Sequence, residues 1–230
     1  MVSTRSTSSS LTPGIPPTTP RAAIRSRSTS RPPASSSWVH VPDTVTLLWL
    51  AVSLPLVAWD TGYIMLRPRS MPGGSLHWPL WVPYKLYGEV DHVYGFKQWD
   101  LRNGFTAAQG ALNIVESLCY LAYLYLWRAN GRPSARAGGR LGVAGRPAAL
   151  AVMLAFSAAV MTLSKTVLYW ANEYFSGFDN IGHNDMYSLI VLWIIPNGAW
   201  IVFSAYMIYK FGGEIVAVLT AASGRASKND

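Results

Sequence analysis

Residues 193–200 of this chain read WIIPNGAW, and this stretch decides which kind of fold the sequence encodes. An Asn-Gly pair is ordinarily the strongest short-range signal of a hairpin turn, and Pro196 is expected to end or kink a helix. The apolar runs on either side are about ten residues each, too short to cross a bilayer alone and long enough to cross it together. We therefore predict one kinked membrane helix here rather than two strands.

The composition points to the same class of protein. Half of the 230 residues are hydrophobic and only 13% are charged, whereas about a quarter is charged in a typical soluble domain. The net charge of +8 does not indicate a nucleic-acid partner, because the basic residues lie between apolar runs. The single cysteine, Cys119, excludes an internal disulfide, and we interpret it as a small buried hydrophobe. No zinc-site spacing occurs, and we expect neither metal nor cofactor.

Four segments have the length of about 20 residues that a bilayer requires. They predict an all-α integral membrane protein, a four-helix transmembrane bundle with helices at about 45–66, 105–127, 148–171 and 187–209. The apolar run at 76–82 is too short to span, so Trp78 and Trp81 are expected at the interface.

Two tails flank the predicted membrane domain of residues 38–211. Residues 1–37 consist mainly of Ser, Thr, Pro and Arg, so they cannot bury enough apolar surface to order themselves and are predicted to be disordered. Residues 212–230 are predicted to form a C-terminal tail.

The charges of the loops predict the orientation. The loop 128–146 carries five arginines and no acidic residue, and the N-terminal tail is also rich in arginine. The loop 172–185 carries three acidic residues and neither Lys nor Arg. Because cytoplasmic loops are enriched in Lys and Arg, we expect both termini in the cytosol.

Three ionisable residues lie at membrane depth, where each is by default a functional hypothesis. Asp60 and Lys165 are each about six residues from the lumenal ends of their predicted helices, roughly 9 Å deep. Their equal depth allows a buried structural salt bridge between them. Glu116 lies roughly 17 Å deep, and an unpaired carboxyl group there is expected to be protonated, because burial disfavours its charged form.

Polar and aromatic groups of two helices share the depth of Glu116. Asn113 lies one turn before it, and Asn197 and Trp200 come to roughly 15 and 20 Å. An indole face attracts a cation. These residues predict a pocket for a lipid-like ligand that carries or develops positive charge, although a protonated Glu116 bonded to a neighbouring helix would explain the carboxyl group without any ligand.

The chain resembles the EXPERA superfamily, which includes the emopamil-binding protein, a sterol Δ8-Δ7 isomerase, and the sigma-2 receptor. The resemblance covers about residues 45–211 and rests on the order and spacing of short motifs. These are WDTGYIMLRP with Asp60, YKLYGEVDHVYG with Asp91, NIVESLCYL with Glu116, the pair Leu168-Tyr169, Glu173, Gly182-His183, and the Asn-x-x-Trp of Asn197 and Trp200.

The resemblance implies a four-helix core around a sterol or lipophilic-amine pocket in the endoplasmic reticulum membrane. It implies that Glu116 acts as acid and base, that Asp60 is the first-helix carboxylate, that Asn197 positions a carboxyl group and that Trp200 stabilises a carbocation. The implied ligand contacts come from Trp200, Asn197, Glu116, Asn113 and Tyr169. Membrane lipids are the other implied partners, and a homodimer is left open.

Two departures from the isomerases bear on the activity. They carry a His one turn before the first-helix carboxylate, where this chain has Leu56, and they have an additional N-terminal helix. Three functions therefore stay open: a sterol or terpenoid double-bond isomerase, a non-catalytic protein that binds sterols or cationic amphiphiles, and a structural helix bundle.

Overall fold

The computed structural model describes residues 38–135 and 138–226. The predicted disordered tail of residues 1–37 lies outside the described residues. Within the described part, seven α-helices, one π-helical segment and three short strands follow in this order: β1 Val39–His40, α1 Thr44–Met65, α2 Pro83–Val90, α3 Phe96–Asp100, α4 Phe105–Asn130, β2 Arg132–Pro133, β3 Leu141–Ala144, α5 Gly145–Phe175, α6 Met186–Ser188, the π-helical segment Leu189–Ile194, and α7 Ile195–Ala226.

Three helical stretches in the described part are long and apolar enough to cross a membrane. They are Thr44–Met65, Gly145–Phe175 and Met186–Gly224. The prediction of a helical membrane protein is confirmed at this level. Helix α4, the remaining predicted span, has 26 residues, which is roughly 39 Å and long enough. It is less apolar than the other three because it carries Gln109, Asn113 and Glu116 in its first half.

The long helices pack in a fixed order around α4 and α5. Helix α4 packs against both α1 and α5, and α5 packs against α7. The face of α5 that makes these contacts consists of small residues, with Ala151, Ala155, Ala158 and Ala159 fully buried. Small side chains let helix backbones approach closely within a membrane, so α5 can lie between two neighbours.

A small antiparallel sheet closes the end of the bundle where α1 begins. Strand β3 pairs with β1 and with β2, an addition that the all-α prediction did not contain. The N-cap of α1 is Asp43, whose side chain accepts a hydrogen bond of 2.9 Å from the backbone N–H of Thr46. The hydroxyl group of Tyr206 on α7 donates to the same carboxylate at 3.0 Å, which ties α7 to the start of α1.

Helix α7 continues beyond the end that the sequence predicted. The prediction ended the helix at 209 and began a tail at 212, whereas α7 runs to Ala226. The residues past 209 include buried Phe211, and the Glu214 carboxylate accepts hydrogen bonds of 2.8 Å from Trp38 and pairs with His40 at 2.8 Å. These contacts hold the helix in place across Gly212-Gly213.

The long loop between α1 and α4 folds over the opposite end of the bundle. Trp81 is only 7% exposed, and its indole N–H donates to the carbonyl oxygen of Trp59 at 3.1 Å. Trp59 in turn donates to the carbonyl oxygen of Leu80 at 2.8 Å. Trp78 is 78% exposed, whereas Trp81 packs against α1, and the interface position of both residues stays a prediction.

The stretch 193–200 is helical, as predicted. The π-helical segment ends at Ile194, and the backbone N–H of Ile195 donates to the carbonyl oxygen of Ile190. Pro196 follows at the second residue of α7, where its missing N–H is tolerated because π-type adjustments and side chains satisfy the freed groups in membrane helices. The side-chain amide of Asn197 donates to the carbonyl oxygen of Trp193 at 2.9 Å. The Asn-Gly pair thus forms no hairpin.

Candidate functional site

A cavity of about 410 Å³ lies within the helix bundle, next to the folded loop. Residues from α1, α2, α4, α5, the π-helical segment and α7 line it. All six residues that the sequence singled out for the site line this one cavity: Asp60, Asn113, Glu116, Tyr169, Asn197 and Trp200. Its volume falls in the range of small-molecule sites, which is roughly 300 to 1,000 Å³.

Glu116 and Lys165 form a buried ion pair on the wall of this cavity. Lys165 Nζ lies 2.8 Å from Glu116 Oε2, and the two side chains are 10% and 5% exposed. The hydroxyl group of Thr162 donates to the same carboxylate oxygen at 2.8 Å, and Lys165 Nζ also donates to Asn113 Oδ1. Lys165 therefore pairs with Glu116, and the alternative of a salt bridge with Asp60 is wrong. The premise of an unpaired Glu116 is wrong for the same reason.

The helix ends explain this pairing. The sequence placed the end of the third membrane helix at 171, whereas α5 continues to Phe175. Lys165 thus lies roughly 15 Å below the end of α5, and Glu116 roughly 17 Å below the start of α4. The two residues share one level, so their charged atoms can meet.

Asp60 is bound by hydroxyl and amide groups instead of a cation. Tyr84 donates to Asp60 Oδ1 at 2.6 Å, and Tyr94 and Asn113 approach Oδ2 at 3.4 and 3.5 Å. Among the described residues, Asp60 forms no salt bridge. The two tyrosines line the cavity with Tyr87. Sequence reasoning missed all three, although they stand in the motif YKLYGEVDHVYG that was quoted for Asp91.

The side chains of Asn197 and Trp200 form part of the cavity wall. Trp200 meets the ring of Trp49 edge to face at 4.8 Å, and Trp49 stacks on Phe203 at 4.3 Å. Asn197 donates one amide N–H to the carbonyl oxygen of Trp193 in the π-helical segment at 2.9 Å. Among the described residues it forms no hydrogen bond with a carboxyl group, so its implied role of positioning one stays a prediction.

Asp91 lies outside the lining of the cavity and contacts one of its lining residues, Tyr169. Its fully buried carboxylate accepts hydrogen bonds from the Tyr169 hydroxyl group, from Trp193 Nε1 at 2.9 Å and from the backbone N–H of Val93 at 3.0 Å. Burial raises the pKa of the Asp91 carboxyl group to about 6, against the opposing effect of these hydrogen bonds. Asp91 joins the loop, α5 and the π-helical segment, and so fixes the ring of Tyr169 in the cavity wall.

Two further motif residues lie outside the cavity. Glu173 is 1% exposed and accepts a hydrogen bond of 2.8 Å from the side chain of Asn180. His183 stacks on His92 with ring centroids 4.1 Å apart and contacts the carbonyl oxygen of Glu89 at 2.7 Å. Both residues therefore order the loops at this end of the bundle.

The lining of the cavity includes apolar side chains that are also exposed at the surface of the bundle. Two of its lining residues are among the exposed apolar side chains: Leu56 on α1 at 47% and Leu86 on α2 at 55%. The side chain of Leu56 offers no group that can carry a proton. In the described part of the chain, no cluster of three or more His, Cys, Asp or Glu side chains could hold a metal ion.

Comparisons with known proteins add little. No protein-family model matches the chain, and no solved structure matches it. The chain is 33% identical over 73 residues to the mitochondrial DNA topoisomerase I of Rattus norvegicus. That match spans 31% of this chain and 12% of the rat protein, which is too little of either to show a common family.

Proposed function

We propose that this chain is an EXPERA-type protein of the endoplasmic reticulum membrane, similar to the emopamil-binding protein, and that its cavity binds a sterol or a lipophilic amine. The observation that carries the proposal is the cavity itself: six residues chosen from the sequence for a ligand site line one space of about 410 Å³. A mostly apolar cavity with a few convergent polar groups is the usual form of a small-molecule site.

In this proposal α4 is the fourth membrane span. It packs between α1 and α5, so its polar residues face protein and the cavity, where polar groups at membrane depth are tolerated. The arginine-rich loop of residues 128–146 then lies in the cytosol with both termini, and the folded loop of residues 66–104 lies in the lumen.

Binding without chemistry is the function that the geometry supports best. The Glu116 carboxylate is held by Lys165 and Thr162, so its protonation would remove the negative charge that pairs with Lys165. Asp60 carries no such cation partner among the described residues and faces the same cavity. A ligand ammonium or hydroxyl group bound at Asp60 would find the aromatic faces of Tyr84 and Trp200 around its apolar body.

A sterol Δ8-Δ7 isomerase is the second candidate. The observation that favours it is that Asp60, a carboxyl group free of a cation partner in the described part, shares the cavity with Trp200. In that mechanism a carboxyl group protonates one carbon of a steroid double bond, the indole face stabilises the carbocation, and a carboxylate removes a proton from the neighbouring carbon.

Expression in cells that lack sterol Δ8-Δ7 isomerase would test both candidates. A binding protein leaves the Δ8-sterols unconverted and retains a radiolabelled cationic amphiphile in membranes, and Asp60→Asn abolishes this retention. An isomerase restores the Δ7-sterols, and Asp60→Asn or Trp200→Ala abolishes the conversion. Asp179→Asn, which changes an exposed carboxylate outside the cavity, is the matched control. If the wild type shows no conversion and no retention, the proposed site is refuted and the structural bundle is the function that is left.

A further inference from the structure

We propose that Lys165 determines which ligands the cavity accepts. Because its ammonium group pairs with the Glu116 carboxylate, the cavity binds lipids with one cationic group and rejects lipids with two. This inference rests on the proposed binding of a lipophilic amine, and it names the ligand class of that same cavity.

The first step of the argument is the charge of the cavity wall. Two carboxylates, Asp60 and Glu116, and one ammonium group, Lys165, line the cavity. Lys165 is anchored at two points, to Glu116 Oε2 at 2.8 Å and to Asn113 Oδ1. With Glu116 neutralised in this way, one carboxylate among the described lining residues, Asp60, is left for a ligand cation.

The second step is the separation of the two carboxylates into different surroundings. Asn113 stands between them, since its amide nitrogen approaches Asp60 at 3.5 Å while its oxygen accepts from Lys165. An ammonium group at Asp60 is surrounded by hydroxyl groups of Tyr84 and Tyr94. A second ammonium group placed farther along the same ligand would approach Lys165, and like charges in a poorly solvated site repel strongly.

The third step concerns what removal of Lys165 does. In Lys165→Met, the carboxylate of Glu116 loses its partner and keeps only the hydrogen bond from Thr162. Without a partner this buried carboxyl group is expected to be protonated, because burial disfavours its charged form. A second ligand cation at this position would stabilise the carboxylate and restore a buried ion pair. The substitution is therefore expected to convert the cavity from a site for one cation into a site for two.

The test compares two amines with the same apolar body, N-propyldodecylamine with one amino group and N-dodecylpropanediamine with two. Binding to the full chain is measured in nanodiscs of neutral lipid, with empty nanodiscs as the background. The wild type is expected to bind the monoamine more tightly than the diamine. In Lys165→Met the affinity for the diamine is expected to rise about tenfold or more relative to the monoamine. Lys210→Met, at an exposed lysine outside the cavity, should leave the ratio unchanged.

A double variant guards against a single variant that does not fold. Glu116→Gln with Lys165→Met removes both charges together, which a buried pair commonly tolerates. It should bind the monoamine within about threefold of the wild type, because Asp60 is unchanged, and it should gain no affinity for the diamine. Loss of monoamine binding in the double variant, or an unchanged ratio in folded Lys165→Met, overturns the inference.

The outcomes separate this inference from the proposed function. A wild type that binds neither amine above the background refutes the proposed amine site. If Lys165→Met then gains amine binding, the role of Lys165 in excluding cations is still supported. If that variant also binds neither amine, both proposals are overturned.

Discussion

Substitution of Asp91 tests whether its buried carboxylate stabilises the end of the bundle next to the cavity. In Asp91→Ala, three buried donors lose their acceptor: the Tyr169 hydroxyl group, Trp193 Nε1 and the backbone N–H of Val93. Each buried donor without a partner costs about 1–3 kcal/mol. The hydroxyl group can rotate towards another acceptor, so we expect the free energy of unfolding to fall by about 3–5 kcal/mol, near the upper limit for single substitutions.

Asp91→Asn is a more conservative substitution at the same position. The amide oxygen can still accept from Tyr169 and Trp193, but the amide N–H₂ group then faces the N–H of Val93, which also donates. One buried donor is left without an acceptor, so the expected loss is about 1–3 kcal/mol. The order of stability should therefore be wild type, then Asp91→Asn, then Asp91→Ala.

Tryptophan fluorescence during equilibrium unfolding in mixed micelles measures these differences, because Trp193 is part of the network. Asp179→Ala is the control at the same end of the bundle. Its carboxylate pairs with Lys97 at 2.8 Å but is 54% exposed, so its loss should cost at most about 1 kcal/mol. A loss below about 1 kcal/mol for Asp91→Ala would show that its hydrogen bonds do not hold this end together.

Three further predictions concern stability. Burial raises the pKa of Asp91 to about 6 in the folded chain, against 3.8 for an aspartate in an unfolded one. Between these pH values the folded state binds more protons than the unfolded state, so lowering the pH from about 7 to 5 should stabilise the wild type by about 1 kcal/mol relative to Asp91→Asn. Thermal unfolding at each pH measures this difference. Asp43→Ala removes the N-cap of α1 and should cost about 1–2 kcal/mol in the same denaturation assay. Gly95→Ala would place a Cβ atom 2.4 Å from the carbonyl oxygen of Gly88 and should lower the free energy of unfolding by about 1–3 kcal/mol. Gly198→Ala, with open space around the added methyl group, should not destabilise the fold. Equal losses for the two glycines would contradict the packing argument.

The long helices were predictable because apolar length is a strong signal. The predicted segment 45–66 corresponds to Thr44–Met65, and the segment 105–127 to Phe105–Asn130. The helix ends were less predictable where the sequence stays apolar past the bilayer length. The charged residues after 209 predicted a tail. Tertiary contacts, such as those of Glu214 with Trp38 and His40, explain why α7 continues instead.

The small sheet and the folded loop carry almost no sequence signal. Strands β1 and β2 have two residues each, too few to display an alternating pattern. The tyrosines around Asp60 stand 24 and 34 residues after it in the chain. Their contact depends on how the loop of residues 66–104 folds back over α1, which no local periodicity specifies.

The partner of Lys165 shows how a small error in a helix end changes a chemical conclusion. Depth was counted from predicted helix ends, and moving one end from 171 to Phe175 lowers Lys165 by roughly 6 Å. That shift takes its ammonium group from the level of Asp60 to the level of Glu116. The carboxylate without a cation partner is then Asp60, beside the tyrosines of the cavity, instead of Glu116. Because the two arrangements differ in which carboxylate can receive a ligand cation, the comparison of Asp60→Asn with the double variant of Glu116 and Lys165 decides between them: amine binding should depend on Asp60 and survive neutralisation of the pair.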